Sequence, residues 1–330
     1  MDYSTLITGV INGDRKAAAR LISLVEDEEN GYREALERLY GNTRGVPVLG
    51  ITGAPGVGKS TIALEITKML RAQGRKIGIV AVDPTSPVTG GAILGDRIRM
   101  TELFADPGVF IRSMGSRGGS GGLSSQTGSV VRILDAMGCD EIIVETVGAG
   151  QTQVDIMGMA DTIVVVTMPG SGDEVQSIKA GLLEIADIYV VNKIDLAGVM
   201  RTVSDIQSML DLVDEWHGWK PPVIQANARE GRGMDELVRK IEEHNRFALE
   251  SEHLSRRKKE QYLREIQELV TRELSRRIFE SMDGREIEDM LKMISERKEN
   301  LYSEADSIIK AFTAGKLAKK HHDRKQRQSG

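Results

Sequence analysis

The sequence has one cysteine, few aromatic residues and no long hydrophobic run. The single cysteine, Cys139, excludes an internal disulfide and an all-cysteine metal site. Aromatic residues amount to only 4%, too few to favour base-stacking platforms for single-stranded nucleic acid. No apolar stretch reaches the ~18–20 residues that span a bilayer, and the first residues carry neither early basic side chains nor a long apolar segment. We therefore expect a cytoplasmic protein that does not cross a membrane.

The formal net charge of −5 is unevenly distributed along the 330 residues. Residues 1–250 contain 25 Lys and Arg against 34 Asp and Glu, whereas residues 251–330 contain 19 against 15. The acidic first part disfavours general nucleic-acid binding. The basic last part could dock an acidic partner, although a solvated helical face is the commoner reason for such an excess of charge.

Three regions of the chain differ in their patterns. Residues 1–44 carry apolar residues at three-to-four spacing and predict an N-terminal helical segment. Residues 45–247 alternate short apolar runs with amphipathic stretches, which predicts an α/β domain whose mostly parallel sheet is flanked by helices. Residues 248–330 are poor in glycine and rich in charge, and predict a helical C-terminal arm for dimerisation or partner binding. The predicted strands are Val46–Thr52, Ile77–Val82, Val109–Ile111, Ile142–Val144, Thr162–Thr167, Ile188–Val191 and Val223–Gln225.

The C-terminal arm contains an apolar stripe. Its members recur at spacings of three and four and are Leu263, Ile266, Val270, Leu274 and Ile278. A single helix over Ser251–Ser281 would be ~46 Å long. Such a helix must pack its stripe against the main domain or against another chain. We expect Asp283 and Gly284 to end it, with two further helical segments beyond.

The strongest motif is a glycine-rich segment directly after the first predicted strand. It reads Gly53-Ala54-Pro55-Gly56-Val57-Gly58-Lys59-Ser60, and Thr61 follows in the next helix. The segment matches the P-loop pattern at every fixed position and has the strand-to-helix context that the pattern requires. Its backbone N–H groups and the helix N-terminus are expected to bind phosphates. Lys59 is predicted to reach the β- and γ-phosphates, and Ser60 to bind Mg²⁺.

A second motif indicates which base is bound. Asn192-Lys193-Ile194-Asp195 follows the predicted strand Ile188–Val191, and the pattern Asn-Lys-x-Asp is typical of guanine recognition in P-loop GTPases. A carboxylate at Asp195 can accept hydrogen bonds from guanine N1–H and from the N2 amino group, neither of which adenine offers. We expect Asn192 to tie the base to the phosphate loop and the Lys193 stem to cover the face of the base.

The last predicted strand ends near a third element of the base site. Gln225-Ala226-Asn227-Ala228 stands where GTPases often carry Ser-Ala, with Asn227 in the serine position. The backbone N–H of Ala228 is predicted to bind guanine O6. GTP and GDP are therefore the expected nucleotides.

Three carboxylates are candidate metal ligands. Asp83 ends the predicted strand Ile77–Val82, and Asp96 lies on the loop beyond it. Glu145 ends the buried run Ile142–Val144 and resembles a Walker B acid with Glu in place of Asp. Carboxyl ends of parallel strands meet at one edge of a sheet, so these oxygens are predicted to lie near Mg²⁺.

Glycine-rich loops after two strands are candidate switches for the γ-phosphate. One contains Gln151, and the other precedes a predicted helix that carries Lys179. We expect Asp83 or Gln151 to orient the attacking water, with Lys179 as a group that a partner could bring into the site. Lys59 completes the predicted catalytic set. A further glycine-rich loop, residues 115–122, has no lysine at P-loop spacing and is interpreted as a partner or lid loop.

Together these motifs resemble the MeaB/ArgK family, the GTPase chaperones of adenosylcobalamin-dependent acyl-CoA mutases in the SIMIBI class of P-loop GTPases. The matching segments are Gly53–Ser60, Val82–Ser86, Gly95–Arg97, Glu145–Gln151 and Asn192–Asp195. The resemblance implies a P-loop NTPase fold. It also implies GTP hydrolysis coupled to the protection and loading of methylmalonyl-CoA mutase or a close relative. Mg²⁺ is implied at Ser60, Asp96 and Glu145 with Asp83 nearby, as is a homodimer to which helical extensions contribute.

Three other classes of protein compete with this interpretation. A SIMIBI metallochaperone GTPase for a nickel enzyme needs Cys or His clusters, whereas the only adjacent histidines here are His321 and His322. A kinase or ATPase serving amino-acid transport is disfavoured by Asp195, which selects against adenine. A protein-targeting GTPase needs a methionine-rich groove, whereas the 14 methionines of this chain are scattered.

Overall fold

The computed structural model describes residues 3–83, 101–115, 126–146, 156–170 and 185–314. In this part of the chain there are seven strands, eleven α-helices and one short 3₁₀ helix, Ile156–Gly158. The strands are β1 (Val48–Gly53), β2 (Ile77–Asp83), β3 (Val109–Gly115), β4 (Glu141–Thr146), β5 (Thr162–Thr167), β6 (Ile188–Asn192) and β7 (Val223–Ala226). The helices are α1 (Tyr3–Ile11), α2 (Arg15–Glu26), α3 (Tyr32–Tyr40), α4 (Lys59–Ala72), α5 (Thr101–Phe104), α6 (Thr127–Ala136), α7 (Val199–Leu210), α8 (Met234–Glu250), α9 (Glu252–Ser281), α10 (Gly284–Ser295) and α11 (Leu301–Thr313).

The seven strands form one parallel sheet in the order β3-β2-β4-β1-β5-β6-β7. Every residue of β1, β4, β5 and β6 is buried, because helices cover both faces of the sheet. This explains why continuous apolar runs marked the strands in the sequence. The predicted α/β class with a parallel, helix-flanked sheet of the P-loop NTPase type is confirmed.

Two apolar cores lie on opposite faces of the sheet. The first joins α1–α3, α6 and α7 to sheet residues such as Val144 and Val191. The second joins α4 and α8 to sheet residues such as Ile143 and Val190. Adjacent residues of one strand thus enter different cores, as the alternation of side chains along a strand requires. The N-terminal helices therefore belong to the same hydrophobic core as one face of the sheet.

The chain divides into two compact units, residues 1–261 and 262–330, with the boundary inside α9. In the first unit, the opening turns of α9 are bonded to residues that precede β5 and β6. Lys258 Nζ lies 2.9 Å from Asp161 Oδ1, and Arg257 Nη1 lies 3.2 Å from Asp187 Oδ1. Gln261 Nε2 donates to the carbonyl of Ala160 at 3.2 Å.

The second unit begins with residues 262–281 of α9, the long helix that the sequence predicted at Ser251–Ser281. Four of the five residues of its apolar stripe are exposed, with 56% of Leu263, 56% of Ile266, 50% of Val270 and 43% of Leu274 accessible, whereas Ile278 is half-buried. Helix α10 begins with a capping box formed by Asp283 and Glu286, which explains the predicted break. Neither α10 nor α11 has a buried residue. Among the helices of the described ranges, none has the length and apolar character needed to cross a membrane.

Some predicted boundaries differ from those observed. Strand β3 continues four residues beyond the predicted Val109–Ile111, through the polar residues Arg112 and Ser113. It lies at the edge of the sheet, where half-buried polar side chains are tolerated. The amphipathic stretch at 174–185 lies almost entirely outside the described residues, as do the loop at 116–122 and the chain beyond Ala314.

Candidate nucleotide-binding site

A cavity of about 850 Å³ opens at the edge of the sheet where the strands end. Three segments enclose it: the turn between β1 and α4, the residues after β6 and the residues after β7. Its lining residues are Gly56, Gly58, Ser60, Thr61, Leu64, Asn192, Lys193, Asp195, Leu196, Asn227, Ala228, Arg229 and Glu230. The structure therefore brings the phosphate-loop motif and both predicted base motifs to one cavity. Such a position, at the carboxyl ends of parallel strands, is where α/β sheets bind ligands.

The turn between β1 and α4 requires its glycines. Gly53 has φ +141° and Gly58 has φ +100°, values that side-chain-bearing residues rarely adopt. A Cβ at Gly53 would overlap the Val166 carbonyl, and one at Gly58 would overlap the Asn192 side-chain amide. The buried Lys59 Nζ donates to the carbonyls of Gly53 and Ala54, both at 2.8 Å. The loop thus curls around the lysine ammonium.

Ser60 and Glu145 meet beside this loop. Ser60 Oγ donates to Glu145 Oε1 at 2.5 Å, and both side chains are buried. The contact follows from the sheet order, because β4 lies next to β1 with Glu145 paired to Ile51. A hydroxyl and a carboxylate at a phosphate loop are the hard oxygen donors that Mg²⁺ takes in proteins, so these residues fit that ion.

The other predicted metal and catalytic residues are only partly described. Asp83 is the last residue of β2, and its neighbour Val82 pairs with Thr146 at the end of β4. Its backbone therefore ends at the same edge of the sheet as Glu145. Asp96, Gln151 and Lys179 lie outside the described residues. Within the described ranges there is no group of three or more His, Cys, Asp or Glu side chains able to hold a metal by themselves.

Asn192 joins two walls of the cavity. Its Nδ2 donates to the Val57 carbonyl at 2.8 Å, and its Oδ1 accepts from the Ala228 N–H at 3.1 Å. The Ala228 N–H, predicted to bind guanine O6, is thus engaged by Asn192 in this structure. Lys193 has φ +60° and its Nζ donates to the Gly56 carbonyl at 2.7 Å. These bonds connect the base motif directly to the phosphate loop.

Asp195 is held from the neighbouring loop by Asn227. Asn227 Nδ2 donates to Asp195 Oδ1 at 3.0 Å. The Asn227 backbone is itself fixed, because its N–H donates to the Arg232 carbonyl at 3.0 Å and its carbonyl accepts from the Glu230 N–H at 3.0 Å. The carboxylate lines the cavity, so it is available to a ligand there.

Several residues of the site were not predicted from the sequence. Thr146 Oγ1 donates to Thr52 Oγ1 at 3.0 Å, and this buried pair joins the ends of β4 and β1. Leu64, Leu196 and Arg229 line the cavity without belonging to a motif. Each lies within a few residues of one, and that proximity is the signal that could have indicated them.

The fold and this site define a P-loop GTPase. The family described as Methylmalonyl Co-A mutase-associated GTPase MeaB matches residues 18–283, and the chain belongs to that family. A protein of Pyrococcus abyssi described as a GTPase is 46% identical over 95% of this chain and 98% of its own length. The GTPase ArgK of Escherichia coli is 34% identical over 82% of this chain and 84% of its own.

The fold comparison agrees with the family. The crystal structure of an LAO/AO transport system kinase matches with a TM-score of 0.69, covering 94% of this chain and 97% of its own. At 24% sequence identity that match shows the fold alone. The MeaB/ArgK resemblance and the GTPase activity predicted from the motifs are confirmed.

Proposed function

We propose that this GTPase gates the loading of adenosylcobalamin into methylmalonyl-CoA mutase, or a related acyl-CoA mutase, and protects that enzyme. The observation that carries the proposal is the match at residues 18–283 to a family described by its association with this mutase. The matched range contains all three segments that enclose the nucleotide cavity. The proposed role therefore uses GTP binding and hydrolysis as its timing signal.

For the nucleotide we infer a division of the cavity into a phosphate end and a base end. Residues 53–61 would bind the phosphates, since they form the loop before α4 and the first residues of that helix, whose N-terminus favours anions. The base end would use Asp195 for guanine N1–H and N2, and Lys193 for the face of the base. Asn192 and Asn227 would hold these groups in place, as their hydrogen bonds support, and the Ala228 N–H would be the donor to guanine O6.

For the metal we infer that Ser60 and Glu145 hold Mg²⁺ with help from Asp83 and Asp96. When bound, Mg²⁺ would neutralise charge on the β- and γ-phosphates. The 2.5 Å hydrogen bond between Ser60 and Glu145 supports this assignment, because it keeps two oxygen donors side by side. Glu145 is buried, and a buried carboxylate is costly unless a positive charge compensates it. A bound divalent cation would supply that charge.

Hydrolysis would depend on positioning and on charge stabilisation rather than on a covalent intermediate. Lys59 would stabilise charge on the transferred phosphoryl group. Asp83 or Gln151 would orient the attacking water, and Lys179 could be brought in by a partner. We therefore expect slow intrinsic turnover that the mutase accelerates.

The arm would make the protein a homodimer. The exposed stripe of Leu263, Ile266, Val270 and Leu274 is the surface that supports this proposal. Exposed apolar stripes of this kind mark surfaces that pair with another chain. Light scattering of the protein and of a Leu263→Glu, Val270→Glu double variant would test it. We expect a dimer for the parent and a monomer for the variant, and a monomeric parent would contradict the proposal.

The test of the mutase role is a single-turnover GTPase assay with and without purified methylmalonyl-CoA mutase from the same organism. An unrelated enzyme at equal concentration is the control for non-specific protein effects. We expect the rate of GTP hydrolysis to rise with the mutase but not with the unrelated enzyme. Equal rates with and without the mutase would contradict the coupling. Affinity capture with GDP and with a non-hydrolysable GTP analogue would separate this role from nickel delivery. A captured mutase supports the proposal, whereas a captured nickel enzyme favours the metallochaperone.

A further inference from the structure

We propose that Thr52 and Thr146 are positioning residues whose hydroxyl pair sets the spacing between the phosphate loop and Glu145. The inference rests on the proposed Mg²⁺ site at Ser60 and Glu145. Its basis is the hydrogen bond that Thr146 Oγ1 donates to Thr52 Oγ1 at 3.0 Å, between side chains that are both fully buried. Each threonine acts through the next residue of its own strand, which is Gly53 for Thr52 and Glu145 for Thr146.

The bond lies where strands β1 and β4 part from each other. The two strands are paired directly from their first residues, and the last pair of this ladder is Ile51 with Glu145. Beyond that pair, Thr52 stays in the ladder with β5 and Thr146 in the ladder with β2. The hydroxyl bond therefore connects β1 and β4 at the first position past their shared ladder. The phosphate loop begins one residue later, at Gly53.

The threonine pair and the proposed metal ligand lie on opposite faces of the sheet. Side chains alternate along a strand, and Ile143 belongs to the core that contains α4, whereas Val144 belongs to the other core. Glu145 therefore faces α4, where it meets Ser60, and Thr146 faces the core of the N-terminal helices. The pair can thus hold β4 against β1 without occupying the space that phosphates and a metal would need.

Stability alone does not explain two buried hydroxyl groups at this position. Valine has nearly the shape of threonine, and replacing both partners of a buried hydrogen bond by apolar groups of the same shape is nearly neutral or stabilising. What the hydroxyl groups add is geometry. A hydrogen bond fixes a distance and an angle, whereas apolar contact has no preferred direction. The pair therefore suits a place where the separation of two strands matters.

The expected consequence concerns Mg²⁺ rather than the nucleotide base. If the pair sets how far Glu145 lies from Ser60, its loss should weaken Mg²⁺ binding, because groups that support metal ligands contribute to metal affinity. Binding of GDP without metal should stay close to that of the parent, since the phosphate loop and the base motifs keep their own contacts. A pair that only stabilises the fold would leave the Mg²⁺ affinity of the folded protein unchanged.

Calorimetric titration of Mg²⁺ into the full chain loaded with a non-hydrolysable GTP analogue tests this, with GDP binding in a chelator as the second measurement. For the Thr52→Val, Thr146→Val double variant we expect about tenfold weaker Mg²⁺ binding. Its metal-free GDP affinity should stay within about twofold of the parent. Thr146→Ser keeps a hydroxyl group and should bind Mg²⁺ within about threefold of the parent.

The matched control is Thr67→Val. Thr67 is as fully buried as the pair, and it lies on α4, the helix that also carries Ser60. Its Oγ1 donates to the Ala63 carbonyl at 2.7 Å, so its hydrogen bond stays within one helix. We expect this variant to bind Mg²⁺ as the parent does. A loss equal to that of the double variant would show that removing any buried hydroxyl near the site has the same effect.

Urea unfolding separates positioning from stability. Thr146→Val alone takes the partner from the buried Thr52 hydroxyl, so its urea midpoint should fall below that of the parent. Adding Thr52→Val removes the orphaned group, and the midpoint should return to the parent value or above it. Mg²⁺ affinity should stay low in the double variant, because the hydrogen bond is still missing. An affinity that recovers together with the midpoint would overturn the positioning role.

Glu145→Gln distinguishes failure of this inference from failure of the metal site. If Glu145→Gln and the threonine variants all bind Mg²⁺ as the parent does, the proposed metal site itself is wrong. If only Glu145→Gln loses Mg²⁺ affinity, the metal site stands and positioning by the threonine pair is wrong. Should the double variant not fold, Thr146→Val decides in its place: weakened Mg²⁺ binding with parent-like GDP binding supports the role, and parent-like Mg²⁺ binding overturns it.

Discussion

Ser60 and Glu145 are separated by 85 residues in the sequence, yet the serine hydroxyl donates to the carboxylate at 2.5 Å. The bond joins the first turn of the helix after the phosphate loop to the end of a neighbouring strand. Neither residue alone would identify a metal site, because buried serines and carboxylates are often structural. Their contact at the mouth of a phosphate loop is what favours a shared cation.

We predict that Glu145→Gln raises the Mg²⁺ concentration needed for half-maximal GTP hydrolysis by at least about tenfold. The reason is that even outer partners of metal ligands contribute about 10–100-fold to metal affinity. The matched control is Glu141→Gln, the same change at the opposite end of the same buried strand. If the two variants need equal Mg²⁺, Glu145 is not a metal ligand.

Glu141 should make the stability of the protein depend on pH. It is buried beside Arg75, with Glu242 also near, and no residue in the described ranges makes a hydrogen bond to its Oε1. Burial raises the pKa of Glu141 from 4.5 to about 7, although Arg75 opposes the shift and Glu242 adds to it. Between about pH 4.5 and pH 7, Glu141 therefore keeps its proton in the folded state but has released it in the unfolded state.

Stability should fall as the pH rises from about 4.5 to 7, by about 3 kcal/mol at full ionisation. Glu141→Gln removes the titrating group, so its free energy of unfolding should lose this part of the pH dependence. Urea unfolding of both proteins at pH 5 and pH 8 measures the difference. A parent that gains stability relative to the variant between these pH values would contradict the assignment.

Gly58→Ala should weaken nucleotide binding and also lower the stability of the protein. Its φ of +100° strains any side chain, and a Cβ there would overlap the Asn192 amide that links the two motifs. Gly74→Ala is the matched control, because Gly74 has φ +81° but no atom of the described residues lies within 4 Å of its would-be Cβ. We expect both variants to lose about 1–2 kcal/mol from backbone strain. GDP affinity should fall only in Gly58→Ala, and an equal effect in both would show that contact with Asn192 does not matter.

Arg257→Ala should destabilise the protein by about 1–3 kcal/mol. Burial alone would raise the pKa of Asp187, but a hydrogen bond from His244 and the charge of Arg257 hold that pKa below its ordinary value. Removing Arg257 takes a partner from a buried carboxylate. Arg256→Ala, one residue earlier, removes only an exposed pair with Glu260 and should change stability by less than about 0.5 kcal/mol. Urea unfolding at pH 7 compares them, and equal effects would contradict the role of Arg257.

The sequence allowed the strands and the motifs to be predicted because both are local. A parallel strand covered on both faces reads as an apolar run, and seven such runs became seven strands. The phosphate loop needs glycines at fixed positions for backbone reasons that hold in any fold. Strand β3 was predicted too short, since an edge strand carries polar residues that break the apolar pattern.

The contacts inside the site could not be predicted in the same way. The hydrogen bond between Ser60 and Glu145 depends on β4 lying beside β1, an order that no local pattern specifies. The bond from Asn227 to Asp195 joins two loops that follow different strands. The same holds for the Ala228 N–H, which the sequence assigned to the base and the structure pairs with Asn192.

The most direct test of the central claim, a guanine-selective cavity built from three loops, is calorimetry of GDP and ADP binding under identical conditions with Mg²⁺. We predict that GDP binds at least about 100-fold more tightly than ADP, since adenine would leave Asp195 without its two donors. Equal affinities for the two nucleotides, or binding of neither, would contradict the account.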